Sequence, residues 1–154
     1  MELTDILTVD SVLASLKVTS KKQALQALSE KAAAITHIDE REIFETLLQR
    51  ERLGSTGVGS GVAIPHGKLT SLRQIVGVFA RLERPIDFEA LDDQPVDLIF
   101  LLLAPEGAGA DHLKALARIA RVLRNGSIIK KIRATPDREA LYSLLVSPPD
   151  QVAA

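Results

Sequence analysis

The sequence has no cysteine, no excess of charge of either sign and no long apolar run, and each absence removes a class of protein. Without cysteine there are neither disulfide staples nor thiolate metal sites. A net charge of −1 leaves no basic footprint for nucleic acid and no surface suited to an anionic membrane. The longest apolar run, Leu98 to Pro105, is far too short to span a bilayer. The opening Met-Glu-Leu-Thr-Asp lacks a basic region followed by an apolar one, so it is not a secretory signal, and a cytoplasmic protein without membrane insertion is expected.

What remains is a chain of 154 residues with 46% hydrophobic content, enough to bury one proper core. A single domain over residues 1–154 is expected, with its core at about 3–146 and the Ser-Pro-Pro-Asp end at 147–154 fraying. After a loop from Ile6, residues Val12 to Val18 alternate apolar and polar as an extended piece. Ser20 opens a helix, with Gln23 completing a capping box and Leu25, Leu28, Ala32 and Ile35 as its buried stripe. Asp39 caps a second helix, with Ile43, Phe44, Leu47 and Leu48 pointing inward until Gly54 ends it. His37, between the two, reads as a surface residue.

Gln74 to Leu82 and Val96 to Leu103 read as strands separated by a Pro- and Asp-punctuated loop from Pro85 to Pro95. The second strand is apolar on both faces and so belongs at the middle of a sheet covered by helices on both sides. A helix from about Asp111 to Arg124 stops at Asn125-Gly126, and a short helix follows over Ser127 to Arg133. The last helix is expected to take Thr135 as its cap and Pro136 in its first turn. Together these elements make an α/β (α+β) fold, with a central mixed sheet flanked by helices on both faces.

The candidate site lies in the stretch from Arg50 to Lys68. Gly54, Gly57, Gly59 and Gly61 give a loop that another surface can approach closely. Val62, Ala63 and Ile64 then extend, Pro65 stiffens the stem, and His66 emerges beside Gly67, which leaves the imidazole unshielded. Nucleotide binding is excluded. Gly54 and Gly59 have Walker-loop spacing, but Ser60 and Gly61 stand where Lys and Ser or Thr are needed, and Val62 stands where a dinucleotide fingerprint needs glycine.

His112 shares a helical stripe with Leu116, Ile119 and Leu123 and so faces the body, while Lys114, Arg118 and Arg121 face solvent. Its place in a first turn favours an anion nearby, and Asp111 is expected to cap that turn and point away. On spacing alone, a hydrogen-bonded core histidine is the better description of His112. Arg50, in a last helical turn, is an ordinary complement to the helix dipole. The basic run from Arg118 to Arg133 reads as a solvated face that could also help dock an acidic partner.

The segments Arg-Glu-Arg-Leu-Gly-Ser-Thr-Gly from Arg50, Ala-Ile-Pro-His-Gly-Lys ending at Lys68, Arg84 to Leu98, and the helix opening at His112-Leu113 resemble a known family. It is the enzyme IIA family of the phosphoenolpyruvate-dependent phosphotransferase system, of mannitol/fructose type, and most closely its nitrogen-regulatory branch. The resemblance implies that His66 is the phosphoryl acceptor, that His112 and Arg50 support it, and that no cofactor or metal is used. It further implies a histidine phosphocarrier protein as donor, and regulatory targets such as a potassium transport protein or a sensor kinase, read by a monomer or weak dimer. A IIA component of fructose/mannitol-type uptake, passing phosphate to a IIB domain, is the competing expectation.

Overall fold

The structure, a computed structural model, describes residues 2–147, so the expected fraying beyond Ser147 lies outside the described residues. Its central strand, Val96–Pro105, is buried along almost its whole length, as the apolar run from Leu98 onward requires. In chain order the strands are β1 (Val12–Leu16), β2 (Gly57–Gly59), β3 (Val62–Ala63), β4 (His66–Leu69), β5 (Val76–Ile86) and β6 (Val96–Pro105). The helices are α1 (Lys21–Thr36), α2 (Glu40–Arg52), α3 (Ala110–Arg124), α4 (Gly126–Arg133) and α5 (Arg138–Val146). The sheet runs β1-β5-β6-β3-β2, with β4 also paired to β6. β5 lies antiparallel to β6, whereas β1 on β5, and β3 and β4 on β6, are parallel.

Period-two alternation along β6 divides the interior in two. Leu98, Phe100, Leu102 and Ala104 pack under α3, α4 and α5, while Ile99, Leu101 and Leu103 pack under α1 and α2. The mixed sheet with helices on both faces is thus the architecture expected.

β3 and β4 share one edge of β6. Val62 and Ala63 pair with Leu98 and Ile99, then Ile64-Pro65 interrupts the edge, and His66 to Leu69 resume it opposite Leu102 to Pro105. Because Pro65 has no N–H to give, the ladder on β6 is interrupted there, although the Pro65 carbonyl still accepts from Leu102 N–H at 3.0 Å. This step brings His66 to the end of the sheet where α2 finishes and α3 begins.

Several local expectations give way. The glycine-rich stretch is not a loop but a hairpin. Ser60 and Gly61, at φ 57° and 82°, make the tight turn joining β2 to β3, with the paired positive φ values that suit a twisted two-residue connection. Strand β5 extends through Pro85 to Ile86, so the following loop is shorter than expected. The last helix is capped by Asp137, whose carboxylate accepts from Ala140 N–H at 2.9 Å. Thr135 instead donates its hydroxyl back to the Lys131 carbonyl, which places it at the end of α4. At α1, Ser20 Oγ accepts from Gln23 N–H, but Gln23 Oε1 accepts from Thr19 N–H, so the box closes one residue earlier than a simple capping box. Asp39 is the N-cap of α2 by position but makes no side-chain cap bond. His37 is exposed and turns the chain out of α1 in the left-handed region, at φ 62°.

Gly67 is small because it packs on α2, not to unshield His66. A Cβ there would lie 2.8 Å from Thr46 Cγ2, and Thr46 sits one turn before Arg50. Gly67→Ala is therefore expected to destabilise the fold by about 1–3 kcal/mol through overpacking. Adding Thr46→Ala removes the obstructing methyl and should recover most of that loss. A double-mutant cycle by chemical denaturation tests this, and additive losses would show that the contact does not set the glycine requirement.

Candidate active site

Three side chains from three separate elements meet at the mouth of the sheet. His66 opens β4, Arg50 comes from the last turn of α2, and His112 stands in the first turn of α3. His66 Nδ1 lies 2.9 Å from the carbonyl oxygen of Ile64, two residues back along its own stem. A carbonyl only accepts, so Nδ1 carries the proton and the lone pair is on Nε2. Arg50 Nε donates to that Nε2 at 3.4 Å, and Arg50 Nη1 donates to the Gly54 carbonyl at 2.9 Å. The guanidinium is thus braced on the turn that ends its own helix.

On the other side of His66, the ring of His112 is tilted by 58° with its centroid 5.7 Å away. His112 is only 7% exposed, and its Nε2 is buried without a hydrogen-bond partner. A buried polar atom left so is uncommon and carries a desolvation cost, which a visiting acceptor would relieve. The expected stripe on α3 holds at His112, Ile119 and Leu123, while Leu116 is only partly buried and Ala115 takes the fully buried place beside it. Asp111, however, does not cap the helix. Gly109, at φ 54°, is the N-cap, and Asp111 lies exposed inside the first turn.

Burial holds the His112 pKa below its usual value of 6.5, and the nearby His66 and Lys68 charges push the same way. The protonated form is therefore disfavoured in the folded state relative to the unfolded chain. Neutral His112 contributes stability that is fully present above about pH 6.5 and lost as pH falls through its depressed folded value. A His112→Gln variant should lose part of the drop in melting temperature between pH 7 and pH 5. An unchanged drop would mean that other groups set the acid limb.

Sequence reading missed a polar lock behind Arg50. Glu51 is buried, receives Lys21 Nζ at 3.0 Å, and accepts from both the backbone N–H and the hydroxyl of Thr56. Lys21 also lies over the Phe88 ring at 4.8 Å. The lock fixes the end of α2 to the strand that begins the hairpin, and so fixes where Arg50 points. Its only sequence signal was a charged residue on the inward side of a helix. Among the described residues no cluster of three or more His, Asp or Glu could hold a metal ion, and no helix is long and apolar enough to cross a membrane.

At this edge of the mixed sheet, then, one imidazole is flanked by a guanidinium and a second imidazole. Residues 5–147 match the model of the phosphoenolpyruvate-dependent sugar phosphotransferase system EIIA type 2, and the chain belongs to that family. Within it the likeness is to the nitrogen-regulatory branch. The chain is 64% identical over 153 residues to a nitrogen regulatory protein of Bradyrhizobium diazoefficiens, covering 99% of this chain and all of that one. It is 41% identical to the nitrogen regulatory protein of Escherichia coli K12, over 94% of this chain and 90% of the other. The crystal structure of nitrogen regulatory protein IIA-Ntr from Neisseria meningitidis superposes with a TM-score of 0.89 at 35% identity, covering 93% of this chain and 98% of that one.

Proposed function

We propose that His66 Nε2 accepts a phosphoryl group from a histidine phosphocarrier protein of the nitrogen-regulatory phosphotransferase system, and that partner proteins respond to whether the group is present. The observation that carries this reading is the fixed tautomer. With Nδ1–H given to the Ile64 carbonyl, the Nε2 lone pair faces outward between Arg50 and His112. In the transfer, that lone pair forms the new N–P bond while the donor's N–P bond breaks, and the donor imidazole keeps its electron pair. The His66 ring becomes cationic, with its charge shared toward the Nδ1–H that Ile64 holds. That charge also keeps the ring a good leaving group for onward transfer.

The phosphoryl group brings roughly two negative charges. Arg50, already on Nε2, is placed to turn its N–H groups onto the phosphoryl oxygens, and His112 Nε2–H is placed to give them a hydrogen bond. Burial favours the neutral His112 ring in the free protein, and an imidazole N–H is all that this task requires. No base, metal or nucleotide is asked of this chain, which fits a cytoplasmic carrier between proteins.

Removing His112 should leave acceptance possible but make release poor. His112→Ala is expected to slow onward and reverse transfer by about 10- to 100-fold, the worth of one hydrogen bond to a charged group. Equal forward and reverse rates in variant and parent would take His112 out of the site. To separate regulation from transport, the protein is incubated with phosphoenolpyruvate, the general donor proteins and a fructose- or mannitol-type IIB domain. Label is expected to stop on His66, and passage of label through IIB to sugar would overturn the regulatory assignment in favour of sugar uptake.

A further inference from the structure

A cavity of about 780 Å³ opens between the β2–β3 hairpin and the α3–α4 corner, beside the candidate active site but not containing His66. This falls within the roughly 300–1,000 Å³ of ordinary small-molecule sites. Its wall includes the apolar side chains of Ile64, Leu123 and Ile129, and its rim carries Arg124, Lys130 and Arg133. Arg133 is committed elsewhere: its guanidinium forms a two-point pair with Asp97 and also donates to the Ser60 carbonyl at 2.7 Å. Among the described residues, Arg124 and Lys130 have no carboxylate partner. The cavity therefore combines an apolar wall with two uncompensated cations at its mouth.

One residue joins this cavity to the site. The Ile64 side chain, 6% exposed, forms part of the wall, while its carbonyl is the acceptor that fixes the His66 Nδ1 proton. We propose that the cavity binds a small molecule with one anionic head, carboxylate or phosphate, on an apolar body, and that its occupancy raises the phosphoryl-accepting rate of His66. The head lies between Arg124 and Lys130, and the body lies against Ile64, Leu123 and Ile129. A filled cavity holds the hairpin against β6 and so holds the Ile64 carbonyl on Nδ1, keeping the Nε2 lone pair presented. The second half of the proposal rests on His66 being the acceptor. The first half does not.

Octanoate is the probe, titrated into the full chain and followed by methyl and amide NMR, with octanol and inorganic phosphate as the headless and bodyless controls. Saturable shifts are expected at Ile64, Leu123 and Ile129, with both controls about tenfold weaker or worse. The exposed pair Arg124→Glu with Lys130→Glu should weaken octanoate about tenfold or more, since two charge-assisted contacts are reversed. No saturation, equal affinity for octanol, or undiminished binding by the double variant would each overturn the site. In a labelling assay, saturating octanoate should raise the initial rate about fivefold, the low end of ordinary coupling between sites. Saturable binding with an unchanged rate would overturn the coupling. If His66 took no label even without octanoate, the acceptor reading would fail, and the NMR titration would still decide the binding site.

Discussion

Replacing His66 by alanine is expected to reduce phosphoryl labelling to background while leaving the fold intact. The backbone of β4 pairs with β6 from His66 through Leu69, and that ladder does not depend on the imidazole. The side chain itself makes two hydrogen bonds, to the Ile64 carbonyl and from Arg50, at a half-buried position. Their loss should cost about 1 kcal/mol of stability, a small shift in melting temperature. His112 is not expected to stand in as acceptor, because its ring is buried and its Nε2 is assigned to donate a proton to the phosphoryl oxygens rather than to offer a lone pair. The check is labelling from phosphoenolpyruvate through the donor proteins, run beside a thermal melt. Retained labelling in a folded His66→Ala protein would show that the phosphate sits elsewhere.

The second large effect belongs to Arg50, and it separates charge from geometry. Arg50→Ala should lower the transfer rate by about 10²- to 10³-fold, the usual loss when one donor to a developing oxyanion is removed. Arg50→Lys keeps the positive charge, yet it should recover less than about a tenth of that loss. The guanidinium makes two bonds at once, to the Gly54 carbonyl and to His66 Nε2, and the first holds the fork in place for the second. A lysine ammonium is a single point charge on a flexible stem and cannot keep both. Single-turnover rates decide the matter. A lysine variant as fast as the parent would mean that charge alone matters and that the bracing on Gly54 is incidental.

The elements legible in the sequence were those whose signal is local. The apolar run of β6 declared a strand buried on both faces, and the stripe through His112, Ile119 and Leu123 declared which side of α3 faces inward. The features that were not legible depend on partners distant in the chain or on backbone atoms. The two glycines of Gly57-Val58-Gly59 disfavour a strand, and it becomes one because Ala63 and Val62 lie opposite. Likewise His66-Gly67-Lys68 has little intrinsic preference for extension and is held by the free edge of β6. Thr135 carried a plausible cap signal, but Asp137 lies two residues closer to the helix and wins the free N–H. Asp111 was read as a cap from its chemistry alone, whereas the tight turn at Gly109 starts α3 before it.

At the site, His66 was legible from its own stretch, whereas His112 and Arg50 became candidates only through the family resemblance, and the structure brings all three together. The group that sets the His66 tautomer was invisible, because the Ile64 carbonyl is a backbone atom that any residue would supply. The lock from Lys21 through Glu51 to Thr56 was nearly as hidden, since Glu51 falls on the inward stripe of α2 with Ile43 and Leu47 but nothing in the sequence names its partners.

The most direct measurement is the position of the phosphate itself. The protein, phosphorylated through its donor chain and kept above acidic pH, is analysed by mass spectrometry for the modified residue and by phosphorus and nitrogen NMR for the bonded atom. One acid-labile phosphoryl group is expected, on His66, with coupling to Nε2 and none to Nδ1. A phosphate on His112, or on Nδ1 of His66, would contradict the role of the Ile64 carbonyl as the group that fixes the tautomer, and with it the geometry built around that bond.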